Sequence, residues 1–219
     1  MNNRILAVGA CLLAAAAVST RPASAIGPVD VEVGAGYWDA DTEISELNAS
    51  ESASAPALFG NVWLKNALGF GVSRYEASPG GSLEGADSDF TAVDAKWRFL
   101  NATRNNFVAV GLGGEQVAIA NESTIAPRLV VEGHVSVKLV YFFGKGAYLP
   151  TIGEMGEGVD GKDGMELEAG VGFHPIPLLS VQLSYKSNDM DFEVTDPLLG
   201  TANMSVNNAG PMLGLVFSF

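Results

Sequence analysis

Apolar side chains return at every second position in segment after segment of this chain, and that period of two limits its fold more than any other feature. Over 29–39, Val29, Val31, Val33, Ala35 and Tyr37 alternate with Asp30, Glu32, Gly34 and Gly36. Val93, Ala95, Trp97 and Phe99 alternate with Asp94, Lys96 and Arg98, and Met165, Leu167, Ala169, Val171 and Phe173 with Glu166, Glu168, Gly170 and Gly172. Leu179, Val181, Leu183 and Tyr185 repeat the pattern against Ser180, Gln182, Ser184 and Lys186. No segment after Ala25 holds a helical period, so the expected elements are strands with two unlike faces.

A two-sheet sandwich alternates in the same way, so alternation alone does not decide the architecture. Segment length and connection length do. The segments run to about ten residues, the length a tilted strand needs to cross hydrocarbon. Long, mostly acidic connections at 40–56, 78–88, 150–163 and 188–207 alternate with short turns at Asn66-Ala67, Asn101–Asn105 and Pro175–Pro177. A transmembrane barrel sorts its connections in this manner; a sandwich has no reason to. The expected fold is all-β, a closed antiparallel up-and-down transmembrane barrel. Upward strands are expected at 29–39, 68–77, 106–120, 139–149 and 178–187, and downward strands at 57–65, 89–99, 127–136, 164–174 and 209–219. The total is ten, with eight as the alternative, because Ser136-Val137-Lys138 is poor turn chemistry and Gly144-Lys145-Gly146 is better.

The N-terminus fits delivery to an envelope. A positive stretch at Asn2–Arg4, an apolar run at Ile5–Val18 and Ala23-Ser24-Ala25 form a signal peptide pattern with cleavage expected after Ala25. The domain division is therefore 1–25 for the signal and 26–219 for the barrel. Arg4 and Arg21 would leave with it, taking the basic count from 12 to 10 against 25 acids and the net charge from −13 to −15. That sign argues against a nucleic-acid partner, which needs clustered Lys and Arg. The single cysteine, Cys11, lies in the signal, so no disulfide is expected in the remainder.

The chain closes on Leu213, Leu215, Phe217 and Phe219 at alternate positions. This resembles the C-terminal signal that bacterial outer-membrane barrels present to their assembly machinery, with Phe217 and Phe219 as the residues it reads. Pro211 departs from that pattern, which often has an aromatic there. Val31–Trp38 resembles the opening strand of small OmpW-like barrels, and His174–Leu179 with Gln182–Tyr185 is similar to a late hairpin in such families. The resemblance covers the first strand and the last three. It implies a fold and a place, the outer membrane of a diderm (Gram-negative) bacterium with lipid and lipopolysaccharide as surroundings, and no functional residue set or oligomeric state.

With the apolar faces on lipid, the lumen is expected to hold the acids Asp30, Glu32, Asp94, Glu132, Glu166 and Glu168. The matching bases are Lys65, Lys96, Arg98, Arg128, Lys138 and Lys186, six against six. Charges confined in a narrow barrel should pair, and a barrel of this size is filled by its own side chains. Trp38 and Trp63 are expected to help fill it, while Tyr37, Trp97, Phe99, Tyr141 and Phe143 are candidates for interfacial girdles. Glu132, His134 and Ser136 share a face and have a spacing like that of some outer-membrane lipid-A deacylases, but a polar ladder is the favoured reading. Asp39-Ala40-Asp41-Thr42-Glu43 and Asp160–Gly164 space carboxylates as calcium loops do without completing the pattern. No catalytic, cofactor or metal residue is assigned. The function expected is non-enzymatic, structural or a narrow passage for small molecules. The alternatives are a lipid-modifying hydrolase and a surface receptor or adhesion module.

Overall fold

The computed structural model describes residues 29–219 except 48, 66, 104, 120, 121, 157, 177 and 197–199, so the expected signal segment lies outside the described residues. The strands are β1 (Val29–Ile44), β2 (Ala49–Leu64), β3 (Leu68–Ala77), β4 (Ser88–Thr103), β5 (Asn106–Ile119) and β6 (Glu122–Val137). After them come β7 (Val140–Leu149), β8 (Gly153–Gly156), β9 (Val159–Ile176), β10 (Leu179–Asp196) and β11 (Gly200–Ser218). Each of the long strands pairs antiparallel with the next, and β11 pairs with β1. β8 is a four-residue strand lying on β9 alone, so the ring passes from β7 to β9 and closes with ten strands. The eight-strand alternative is set aside.

The turn that argued for eight strands does form. Val137 pairs with Val140, leaving Lys138 and Leu139 as a two-residue turn with Lys138 at φ 59°. Lys65, which follows β2, stands at φ 49°. Tight hairpins that match the strand twist need positive φ, and Asn or Gly is the usual choice. Here two lysines adopt it at the barrel rim, where their ammonium groups stay in water. Both are exposed, which corrects their expected place in the lumen.

Strand length is the larger correction. The segments 40–56 and 188–207, expected as loops, are mostly the upper halves of the β1–β2 and β10–β11 hairpins. Along β1 the inward set continues without a break through Trp38, Ala40, Thr42 and Ile44, all buried. The outward set changes character instead: Val33 and Tyr37 are followed by exposed Asp39, Asp41 and Glu43. β10 repeats this, with Val181, Leu183 and Tyr185 giving way to Asp189 and Asp191. From Val29 to Tyr37 the apolar outer face covers roughly 26 Å of strand, or roughly 20 Å of depth at a tilt near 40°, close to the ~25 Å band of outer-membrane barrels. The wall therefore rises beyond its apolar belt as an acidic extension.

The β11–β1 seam carries one irregularity. Pairing runs through Trp38↔Met212 and resumes at Asp41↔Ala209, skipping Asp39 and Ala40. Pro211 has no N–H to give to the ladder there. The Trp38 indole N–H donates to the Gly210 carbonyl at 3.3 Å instead.

Candidate functional site

The interior is layered. Near the loop end, Ile44, Phe90, Leu149, Met190, Phe192 and Val206 form an apolar plug together with Leu83, Ile152 and Met155. Leu83 comes from the 78–87 connection and Ile152 and Met155 from the 150–158 connection, so these segments fold inward over the mouth.

Below it, Arg128 on β6 is fully buried among three carboxylates. Its Nε lies 3.3 Å from Asp94, Nη1 2.6 Å from Glu115 and Nη2 2.9 Å from Glu166. Lys186 reaches Glu166 at 3.3 Å and Lys145 reaches Asp94 at 3.8 Å. Three acids thus face three bases across β4, β5, β6, β7, β9 and β10. Lys145 is missing from the sequence-based list because Gly144-Lys145-Gly146 reads as turn chemistry, and Glu115, inside the expected strand 106–120, is missing from it as well. Counting alternate positions inward from Phe107 and Ala109 reaches Glu115, and that is the signal that finds it.

Toward the turn end the Arg98 guanidinium sits 3.8 Å from the ring centroids of both Trp63 and Phe107. Lys96 bridges Glu132 at 2.9 Å and the Asn61 amide oxygen. Beside this group lies a chamber of about 240 Å³. Glu132, Lys145 and Glu168 lie at its inner side, and Asn105, Leu178 and Phe219 at the rim. Trp38 and Trp63 are lumen residues as expected, and Tyr37, Trp97 and Phe99 face outward. Tyr141 and Phe143 do not: both line the chamber, and the exposed aromatics of β7 are Phe142 and Tyr148. Three aromatics in a row, Tyr141-Phe142-Phe143, leave the parity of a strand undecided, which is why sequence placed the wrong pair outside.

Glu132, His134 and Ser136 share the inner face of β6 but are not assembled as a catalytic unit. Glu132 is taken by Lys96. His134 Nδ1–H donates to the Asn105 carbonyl at 2.7 Å. The Ser136 N–H donates to the Asn106 side chain at 2.8 Å, while its hydroxyl has no hydrogen-bond partner among the described residues. A nucleophile–base hydrogen bond, the first requirement of such chemistry, is missing from the arrangement. The two acidic stretches weighed for calcium lie on strands. Side chains two apart on a strand are roughly 6.6 Å apart along it, too far to converge on one ion. Among the described residues no group of three His, Cys, Asp or Glu side chains is placed to hold a metal.

No protein-family model matches the chain, and no curated protein matches it either. Solved structures do align with it over most of its length. An outer membrane channel from Pseudomonas putida F1 aligns with 92% of this chain and 100% of its own, at 9% identity and a TM-score of 0.47. The attachment invasion locus protein Ail of Yersinia pestis covers 88% and 100%, at 14% identity and 0.35. Neisserial surface protein A covers 88% and 98%, at 14% identity and 0.36. Identity this low carries no activity across, and it is the chain's own closed ring and apolar belt that decide its place. It is an outer-membrane β-barrel. No helix among the described residues is long and apolar enough to cross a membrane; the barrel crosses with its strands.

Proposed function

We propose that this barrel is a closed, non-enzymatic structural element of the outer membrane, with its turn end in the periplasm and its acidic extension outside. The observation that carries this reading is the filled lumen: an apolar plug stacked on a six-charge network, every member of both buried except the half-buried Lys145. Opening a path would separate Arg128 from three carboxylates in a low-dielectric interior, which costs several kcal/mol per uncompensated charge. The outward acids Asp39, Asp41, Asp189 and Asp191 lie just above the belt, at the level where divalent cations bridge the phosphates of lipopolysaccharide. In the same reading the barrel-assembly machinery engages Phe217 and Phe219, both exposed at the end of the last strand.

Planar-bilayer recording on the refolded full chain tests the proposal. No conductance steps are expected, and liposomes carrying the protein should not swell in sugars or amino acids. Steady unitary steps with a defined ion selectivity would overturn it in favour of a narrow passage. The acidic extension supports a second reading, a surface receptor or adhesion module. Trimming 40–52 together with 190–205 would then abolish whole-cell binding while leaving the membrane-level barrel in place.

A further inference from the structure

We propose that the turn-end chamber is a binding site for a small organic ammonium ion, an amine or quaternary ammonium carried on a short apolar or single-ring body. One wall is aromatic. Phe107 stacks on His134 at 5.8 Å between centroids, His134 meets Tyr141 at 4.6 Å, and Tyr141 meets His174 at 4.8 Å. These rings come from four neighbouring strands, β5, β6, β7 and β9, and stack on one another as a row along that wall. Gly172 makes room for it, since an added Cβ would fall inside the Tyr141 ring. The Tyr141 hydroxyl is fixed by Ser180 at 2.9 Å and by the Gln182 amide, which donates to it at 2.7 Å. The ring is therefore held in place before any ligand arrives.

The charge balance selects the sign of the occupant. With Glu115 and Lys145 added, and Lys65 and Lys138 removed, the membrane-level lumen holds seven acids against five bases. Within the chamber Glu132 is matched by Lys96, and Lys145 is committed to Asp94. Glu32 and Glu168 have no cation in ion-pair range among the described residues. Glu32 has only the Asn61 amide at 3.5 Å, and Glu168 the Ser184 hydroxyl at 3.0 Å. Two carboxylates without a counter-ion among the described residues suit an ammonium ion, and the row of rings packs against its apolar body. A bare metal ion is a poor fit, because among the described residues no three ligating side chains converge. The volume of about 240 Å³ lies below that of drug-sized pockets and fits one ring with a short arm.

The test uses the refolded full chain in zwitterionic micelles, with calorimetric titration corrected against empty micelles. Phenethylammonium and benzyltrimethylammonium are the probes; 2-phenylethanol and phenylacetate are the neutral and anionic controls. Saturable binding of both ammonium probes is expected, at least tenfold tighter than phenylethanol and with no phenylacetate binding. Glu32→Gln should weaken the probes at least tenfold, Tyr141→Leu should do the same, and Asp41→Asn on the outer face should change nothing. Folding of each variant is read from its heat-modifiable gel migration, and Glu32→Gln alone suffices if Tyr141→Leu does not fold. Phenylacetate binding as tight as the ammonium probes, no saturable ammonium binding, or unchanged affinity in folded Glu32→Gln would each overturn the proposal. None of these outcomes depends on whether the barrel conducts.

Discussion

Arg128 is the side chain on which the interior depends most. It has no exposed surface and touches three carboxylates from three other strands. Replacing it with Met keeps the length but leaves Asp94, Glu115 and Glu166 clustered without their main counter-charge. Breaking a buried ion pair from one side costs about 3–5 kcal/mol. Arg128→Met should therefore lower the unfolding free energy of the lipid-reconstituted barrel by that amount and its urea midpoint with it, whereas Arg128→Lys should lose less. An unchanged midpoint would mean that water reaches the network. Outside the membrane, Glu51 accepts from the Ser82 backbone N–H at 3.0 Å and from its hydroxyl at 2.8 Å. These bonds, the backbone one foremost, hold its carboxyl below the usual value of 4.5. Because the folded value is depressed, the tie is fully present above 4.5 and is lost as pH falls through the folded value. Hydrogen-exchange protection of the Ser82 amide should therefore drop in that acid window, and in Glu51→Gln it should be flat with pH. At this scale the sequence was readable wherever parity was unambiguous: Asp94, Lys96, Arg98, Glu166 and Lys186 all face inward as alternation requires. It was unreadable where glycines flank a charge, as at Lys145, or where three aromatics run together.

At the level of the element, turns and the seam set the register. Lys138 is in the left-handed region, which costs an L side chain roughly 1–2 kcal/mol. Lys138→Gly should relieve most of that strain and raise stability by about 0.5–1 kcal/mol after its own entropy cost, while the β-branched Lys138→Val should lower it by about 1 kcal/mol. Equilibrium unfolding of the two variants gives the sign directly, and equal stabilities would show that the turn relaxes. Gly210 is a different case. A Cβ there would collide with the Asp39 carbonyl oxygen and lie 2.8 Å from Ala40 Cα, both on the facing strand. The seam is already short of two ladder pairs beside Pro211. Gly210→Ala should then cost about 1–3 kcal/mol, as overpacking does, and should slow barrel closure measured by the gel shift. Strand existence and order were legible because each hairpin repeats the same binary pattern. Strand ends were not. Where the outer face turns from Val and Tyr to Asp, both faces cease to look alternating, although the inner face of β1 remains buried to Ile44.

The whole molecule is an apolar belt on a closed ring, with an acidic extension above it and a filled interior, and its three tryptophans report on that arrangement together. Trp97 points outward in the belt and is 54% exposed, whereas Trp38 and Trp63 are 0% and 1% exposed inside the ring. Lipid chains touch only the outer face, so a short-range quencher carried on acyl chains distinguishes the two sides of the wall. In vesicles of brominated lipid, a variant keeping Trp97 alone should lose most of its fluorescence. Variants keeping only Trp38 or only Trp63 should lose little. An aqueous quencher such as iodide should reach none of the three strongly: lipid shields Trp97, Tyr75 packs edge-to-face with Trp38 and Arg98 stacks over Trp63. A soluble two-sheet sandwich, the competing reading of the same alternation, would reverse the pattern, with Trp97 open to iodide and indifferent to brominated lipid. A water-filled pore would instead expose Trp63 to iodide while leaving the lipid result intact. The pair of quenchers therefore tests the side each face meets and the filling of the lumen in one set of samples, and the two failures can be told apart.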